Sequence, residues 1–143
     1  MRIAIYVVVS LIAVVGVIAL AGFFLPVGHV ASRSAEFSKP PDVVFALIAD
    51  QGSYEGWWDG AEVKSEVVER VPPSKLVTKV VGETQFGGTW TFEITPTAAG
   101  SRLTITERGE IYNLVFRALA RYVIGYTGTM DSYLQAARKK LAA

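Results

Sequence analysis

Hydrophobic positions open the chain almost without a break: Ile3 to Leu25 is 23 residues with no charge. As a helix this run measures about 35 Å, enough to cross a hydrocarbon core of about 30 Å. Fifteen of its residues are Leu, Ile, Val or Phe. At roughly −0.3 to −0.6 kcal/mol each, they favour insertion by roughly 5–9 kcal/mol before discounts for Gly and Ser. Pro26 and Gly28 then end the helix, because neither continues one comfortably. The pattern predicts a transmembrane anchor over residues 1–26, a linker over 27–30 and one domain over 31–143. The rival reading is a leader cut after Ala19-Leu20-Ala21, whose small residues resemble a cleavage site. Against it stand the length of the apolar run before Ala19 and the greasy terminus, Gly22-Phe23-Phe24-Leu25, that a cut would leave. Positive charge flanks both ends of the run, with Arg2 and the terminal amine nearer to it than Arg33 and Lys39. The asymmetry that the charge-bias rule needs is thus small: the pattern predicts a single-pass membrane protein, leaves the side of the domain open and leans slightly to extracytoplasmic.

After residue 30 the pattern changes several times. Ala31 to Phe37 reads as a strand. Ser38-Lys39-Pro40-Pro41-Asp42 then supplies a capping hydroxyl, first-turn prolines and an early acid, which together announce a helix over Asp42 to Asp50. Tyr54, Trp57 and Trp58, spaced by three and four, predict a second brief helix within Gln51 to Gly60. The period then falls to two. Ala61 to Val71 and Lys75 to Val81 are β-rich runs joined at Pro72-Pro73-Ser74. In Thr89 to Thr95, Trp90, Phe92 and Ile94 share one face. After the turn Ala98-Ala99-Gly100, Leu103 and Ile105 do the same in Arg102 to Gly109. From Asn113 onward a helical stripe returns: Phe116, Leu119, Val123, Tyr126, Met130, Leu134, Ala137 and Leu141. Gly125 and Gly128 interrupt it, each costing about 0.8–1 kcal/mol relative to Ala, and predict a bend or a close approach to another surface. An antiparallel sheet with one buried face needs a cover, and this last helix is the only element long enough to provide it.

Composition narrows the chemistry. The mean hydropathy of +0.35 comes largely from the leading run. All 13 acids lie beyond residue 35, and 13 of the 14 basic residues lie beyond residue 30, so the domain is formally neutral. A nucleic-acid binder would show a basic surplus or stripe, and none is present. Arg138-Lys139-Lys140 ends a helix, where cations suit the macrodipole. With no cysteine, disulfides, thiolate metal sites and cysteine nucleophiles are excluded. The one histidine, His29, stands beside the span and is expected in the headgroup region. A Ser-His-acid arrangement within the domain and a multi-histidine metal site are therefore not expected, nor is a cofactor. Gly82 to Thr89 has the spacing of a phosphate loop, but Gly88 stands where the lysine belongs and a strand follows where a helix is required. It reads as a turn.

Glu107 is the one polar candidate for chemistry. By alternation it continues the inward face of Leu103 and Ile105, where an apolar setting would raise its pKa. The bland reading, preferred here, leaves it solvated or paired with Arg102 or Arg108 at the strand end. The stock from which an apolar pocket would be built is Trp57, Trp58, Trp90, Phe92, Tyr112, Tyr122, Tyr126, Met130 and Tyr133. Trp90 and Phe92 are expected mainly as core, while the tyrosines of the last helix offer hydroxyls that can orient a ligand.

Phe37-Ser38-Lys39-Pro40-Pro41-Asp42-Val43-Val44-Phe45, followed by Asp50, Tyr54 and Trp57, resembles the opening of the START-like (SRPBCC) superfamily, which includes polyketide cyclase/dehydrase-like and Bet v 1-like proteins. Phe86 to Glu93 and Arg102 to Glu107 resemble the final hairpin of its sheet. The resemblance spans residues 31–143. It implies an α+β helix-grip fold, in which a curved antiparallel sheet wraps a long C-terminal helix around a cavity for hydrophobic molecules. Such sheets usually have six strands after the two small helices. Only about four are legible between Ala61 and Glu110, so the fold is expected to be shortened by about one hairpin. The function expected is a membrane-tethered, noncatalytic module for a lipid, quinone or polyketide-like molecule, with the bilayer and that ligand as partners. The alternatives are a cyclase/dehydratase-type enzyme using Glu107 and a tyrosine, and a protein-interaction domain acting through an exposed sheet edge.

Overall fold

A computed structural model describes residues 1–142 of the chain. The leading run forms one helix, α1 (Arg2–Phe23). It is long and apolar enough to cross a membrane and is solvent-exposed along nearly its whole length, which sets it apart from a core helix. Strand β1 (Gly28–Phe37) follows after four residues. The strand therefore starts earlier than the pattern predicts, and most of the segment expected as a linker is paired: Gly28, His29 and Val30 face Glu110, Gly109 and Arg108 of β5.

Helix α2 (Pro41–Ala49) starts at the prolines and buries Val44, Phe45 and Ile48. A 3-10 turn (Gln51–Gly56) takes the place of the second brief helix and buries Tyr54. Then come β2 (Ser65–Val71), β3 (Lys75–Val80), β4 (Phe86–Thr97) and β5 (Gly100–Ile111). All pair antiparallel in the order β1-β5-β4-β3-β2. The four strands legible in the sequence between Ala61 and Glu110 are the ones present, and β2 starts only at Ser65. The segment read as a glycine turn, Gly82 to Thr89, divides. Gly82 turns with φ +77°, while Phe86 to Thr89 already belong to β4. Gly88 pairs with Gly109 across the hairpin at such close range that a Cβ at Gly88 would lie 2.2 Å from the Arg108 carbonyl oxygen.

The single long final helix is the main departure. It is divided into α3 (Leu114–Leu119), a π-helical turn (Ala120–Ile124) and α4 (Gly128–Ala142). Gly125 makes the break at φ 81°, ψ 179°, a backbone region essentially reserved for glycine. The bend expected at the two glycines is thus a full interruption. Of its parts, α4 is the one that covers the sheet, beside α2, burying Met130, Tyr133, Leu134 and Ala137 against Leu76, Phe92, Ile94, Leu103 and Ile105. Arg33 of β1 anchors the start of α4 through Asp131 (3.0 Å) and the Thr127 hydroxyl (3.2 Å).

The other piece, α3, turns away and packs on the end of α1. Asn113 caps it by accepting from the Phe116 amide. Arg117 is buried and spends its guanidinium on backbone carbonyls: Ile111 (2.8 Å), Gly22 (3.1 Å), Tyr112 (3.3 Å) and Leu25 (3.4 Å). Two of these belong to the last turn of α1 and the residues just after it, where a cation complements the negative end of the helix dipole.

Candidate functional site

Three adjacent strands bring an imidazole, a carboxylate and an indole N–H together on a largely apolar wall that also carries Gln51, Ser65, Thr78, Thr89, Glu110 and Thr129. In β5, inward alternation runs Leu103, Ile105, Glu107, Gly109, Ile111. Trp90 of β4 stands directly across from Glu107, and His29 of β1 directly across from Gly109. Because Gly109 has no side chain, the His29 ring lies over it and reaches diagonally to Glu107. A Cβ at Gly109 would fall 2.4 Å from the ring and 2.8 Å from Glu107 Oε1. His29 Nε2 donates to Glu107 Oε1 at 2.8 Å, and Trp90 Nε1 donates to Glu107 Oε2, also at 2.8 Å. The ring of His29 stacks on Tyr126, with centroids 4.1 Å apart and planes 14° apart. Side-chain exposure is 11% for His29 and 20% for Glu107, so both groups look into the fold rather than out of it.

These residues edge a cavity of about 510 Å³ between the sheet, the 3-10 turn and the α3–α4 junction. That volume lies within the range of small-molecule sites, about 300–1,000 Å³. Its apolar walls come from Tyr54 and Trp58, from Val80, Trp90 and Phe92 on the sheet, and from Ile111, Ala120 and Tyr126 at the junction. Phe116 and Ile124 line it too, yet both remain exposed, so they mark its rim.

Of the aromatic candidates, Trp58, Trp90, Phe92 and Tyr126 line the cavity. Tyr133, Met130 and Trp57 lie behind the wall. Tyr133 is the hub of the core, its ring 4.9–5.7 Å from those of Tyr54, Trp57, Trp58, Trp90 and Phe92. Its hydroxyl is used internally: Tyr133 donates to the Tyr54 hydroxyl at 3.0 Å, and Tyr54 donates to the Ile48 carbonyl. Burial pushes the Tyr54 phenol up to about 12 and holds that of Tyr133 well above the ordinary value. Neither has a hydroxyl free to orient a ligand. Tyr112, just past the end of β5, and Tyr122, on the outer side of the π turn, are exposed; Tyr112 donates to Glu110.

Two placements correct the sequence reading. Glu107 is neither solvated nor paired with an arginine: Arg102 is engaged by Glu36, and Glu107 turns inward to His29 and Trp90. His29 is not a free residue beside the span, because β1 extends back through it and places its ring on the cavity wall. Alternation run backward from buried Phe37 through Ala35, Arg33 and Ala31 reaches His29, so the signal was present. Arg117 had no such signal, since nothing local in Leu114 to Ile124 says that one arginine will find the end of another helix. Among the described residues, no cluster of three His, Asp or Glu could hold a metal.

No protein-family model and no curated protein matches the sequence. Solved structures do. A protein from Mesorhizobium loti superposes with a TM-score of 0.61 at 16% identity, over 80% of this chain and 97% of that one. A START superfamily protein from Mycobacterium smegmatis gives 0.61 at 14% identity, over 80% and 97%. The fold is START-like. The di-domain ARO/CYC StfQ from the steffimycin biosynthetic pathway superposes at 0.58 with 15% identity, over 79% of this chain and 50% of that one. At these identities the likeness is one of architecture. Both the cavity and the His29–Glu107–Trp90 group on its wall are read from this chain alone.

Proposed function

We propose that the chain is a membrane-tethered binding module for one small, mainly apolar molecule with a single polar end. The observation that carries this is the cavity of about 510 Å³, apolar over most of its wall, with the most tightly hydrogen-bonded ionisable group on it at His29, Glu107 and Trp90. Such a site desolvates the body of a ligand while a hydroxyl or carbonyl at its end exchanges water for the imidazole–carboxylate pair. Its size suits a quinone, a polyketide-like ring system or a single acyl chain. Helix α1 supports retention at a bilayer, which raises the effective concentration of the module near membrane-dissolved ligand.

The test is native mass spectrometry and lipid extraction of the full chain purified in mild detergent. A bound apolar molecule is expected, lost in a Val80→Trp variant that fills the wall. A wild-type cavity that stays empty after incubation with membrane extract overturns the reading.

A second reading has one specific observation in its favour. His29 and Glu107 at 2.8 Å on a cavity wall are a proton donor and acceptor facing a sequestered space, the minimum for cyclase- or dehydratase-type chemistry. Glu107→Gln separates the two. A binder keeps its ligand with affinity changed by about tenfold or less, equivalent to one hydrogen bond. An enzyme loses turnover while still binding.

A further inference from the structure

We propose that Leu114–Ile124 lies in the membrane surface where α1 emerges, clamped there by Arg117, and so holds the mouth of the cavity against the bilayer. This rests on the reading that α1 spans a membrane. The occupant of the exposed face is then the headgroup–acyl boundary of that same membrane.

The first observation is where α3 touches α1. The part of α1 that loses exposure is Ile18, Ala19 and Gly22, one face of its last turn and a half. At Gly22 the contact is backbone to backbone, because a Cβ there would lie 1.8 Å from the Leu114 carbonyl oxygen. Ile18 to Phe23 is six residues, with a rise of about 7 to 8 Å along the helix from first to last. Surface-lying amphipathic helices bury their apolar face about 5–10 Å deep. If α1 spans, α3 has nowhere to lie except at that depth.

The second observation is the face that α3 and the π turn leave uncovered. Tyr122, Val123 and Ile124 are 66%, 75% and 62% exposed, three consecutive apolar or aromatic side chains that no part of the domain covers. Phe23 and Phe24, at the exit of α1, are exposed likewise. The Arg121 guanidinium lies 5.6 Å from the centroid of the Tyr122 ring, and no acid occurs between Glu110 and Asp131. Aromatic rings and cations without carboxylates are the side chains that favour a headgroup layer.

The third is continuity with the cavity. Phe116 and Ile124 belong both to this segment and to the cavity rim. A segment lying in the interface therefore presents the opening to lipid rather than to water. The Arg117 bonds to Gly22 and Leu25 fix the angle between anchor and domain, so the presentation is built into the fold.

The chain has no cysteine, which makes single-site labelling clean. The full chain is reconstituted into phosphatidylcholine/phosphatidylglycerol vesicles with an environment-sensitive fluorophore on Val123→Cys, Ile12→Cys or Val68→Cys, and brominated lipid is the quencher. Val68 lies on β2, at the opposite sheet edge from β1, and is exposed. The Val123 probe is expected to be blue-shifted and quenched at least about threefold more than the Val68 probe, as a group within the boundary layer would be. Adding Arg117→Met, in protein whose circular dichroism is unchanged, is expected to reduce that quenching; if this variant does not fold, the single-label result decides. An aqueous, unquenched Val123 probe beside a quenched Ile12 probe overturns this inference and leaves the anchor standing. An unquenched Ile12 probe overturns the anchor itself. Val123 emission that depends on protein-to-lipid ratio, with no lipid quenching, means that a second copy covers the face and also overturns the inference.

Discussion

Gly109 governs whether the polar group on the cavity wall can exist. Its missing side chain is the space that His29 occupies on its way to Glu107. Gly109→Ala is expected to displace the imidazole and cost about 1–3 kcal/mol by overpacking, read as a lower urea midpoint with unchanged slope. Gly56→Ala, with nothing within 4 Å of the new methyl, should stay within about 0.5 kcal/mol. The Tyr133–Tyr54–Ile48 relay makes a second residue-scale prediction. Tyr54→Phe leaves the Tyr133 hydroxyl and the Ile48 carbonyl without their partner and should cost about 1–3 kcal/mol. The same pair predicts alkaline instability. In the unfolded chain both phenols ionise near about pH 10, whereas folded Tyr54 holds its proton up to about 12, chiefly through desolvation, and folded Tyr133 is raised by the same cause. Above pH 10 the unfolded state binds fewer protons, so stability falls as pH rises through that window. Urea midpoints should drop across it, and more shallowly in the Tyr54→Phe/Tyr133→Phe variant. Trp90 and Phe92 were legible as inward residues because β alternation fixes which face they take. Tyr133 was legible as buried but not as the hub, since its five aromatic neighbours come from two segments remote from it in sequence, 54–58 and β4.

Among the elements, the interrupted terminal helix is the one whose parts do different work. Its stripe is continuous in sequence, yet Met130, Leu134 and Ala137 face the sheet while Phe116 and Val123 are exposed. Gly125 separates the two roles, and Gly125→Ala should cost about 1–3 kcal/mol because its φ and ψ are closed to other residues. Gly128→Ala, in open space at the start of α4, should be neutral or stabilising by up to about 1 kcal/mol. Thermal denaturation of the two variants side by side checks the contrast. The sequence signal at this point was two helix-breaking residues within a turn; whether they bend or break the helix depends on what each half finds to pack against. For α3 that partner is the end of α1, reached through Arg117. Arg117→Met should cost roughly 2–3 kcal/mol from carbonyls left without a charged donor, measurable as a lower denaturation midpoint of detergent-solubilised protein.

Across the whole molecule, the sheet ends where the helix-grip pattern would continue. With five strands, the cavity is closed by the 3-10 turn and the α3–α4 junction rather than by a further hairpin. Helix α1 is joined to the rest of the chain by hydrogen bonds from Arg117, 95 positions from Gly22, as well as by the short connection to β1. What the sequence determined by itself was everything that depends on local periodicity and transfer energy. It specified a run greasy enough to span, the change from period 3.6 to period 2 and back, the four strands after Ala61, and the inward face of β4 and β5. What only the tertiary structure decided were the meetings of residues far apart along the chain: His29 with Glu107 over Gly109, Tyr133 with Tyr54, and Arg117 with the last carbonyls of α1. The physical reason is the same in each case. Periodicity reports which side of an element is apolar, but a hydrogen bond between residues 78 or 95 positions apart depends on strand register and helix crossing, which no local pattern encodes.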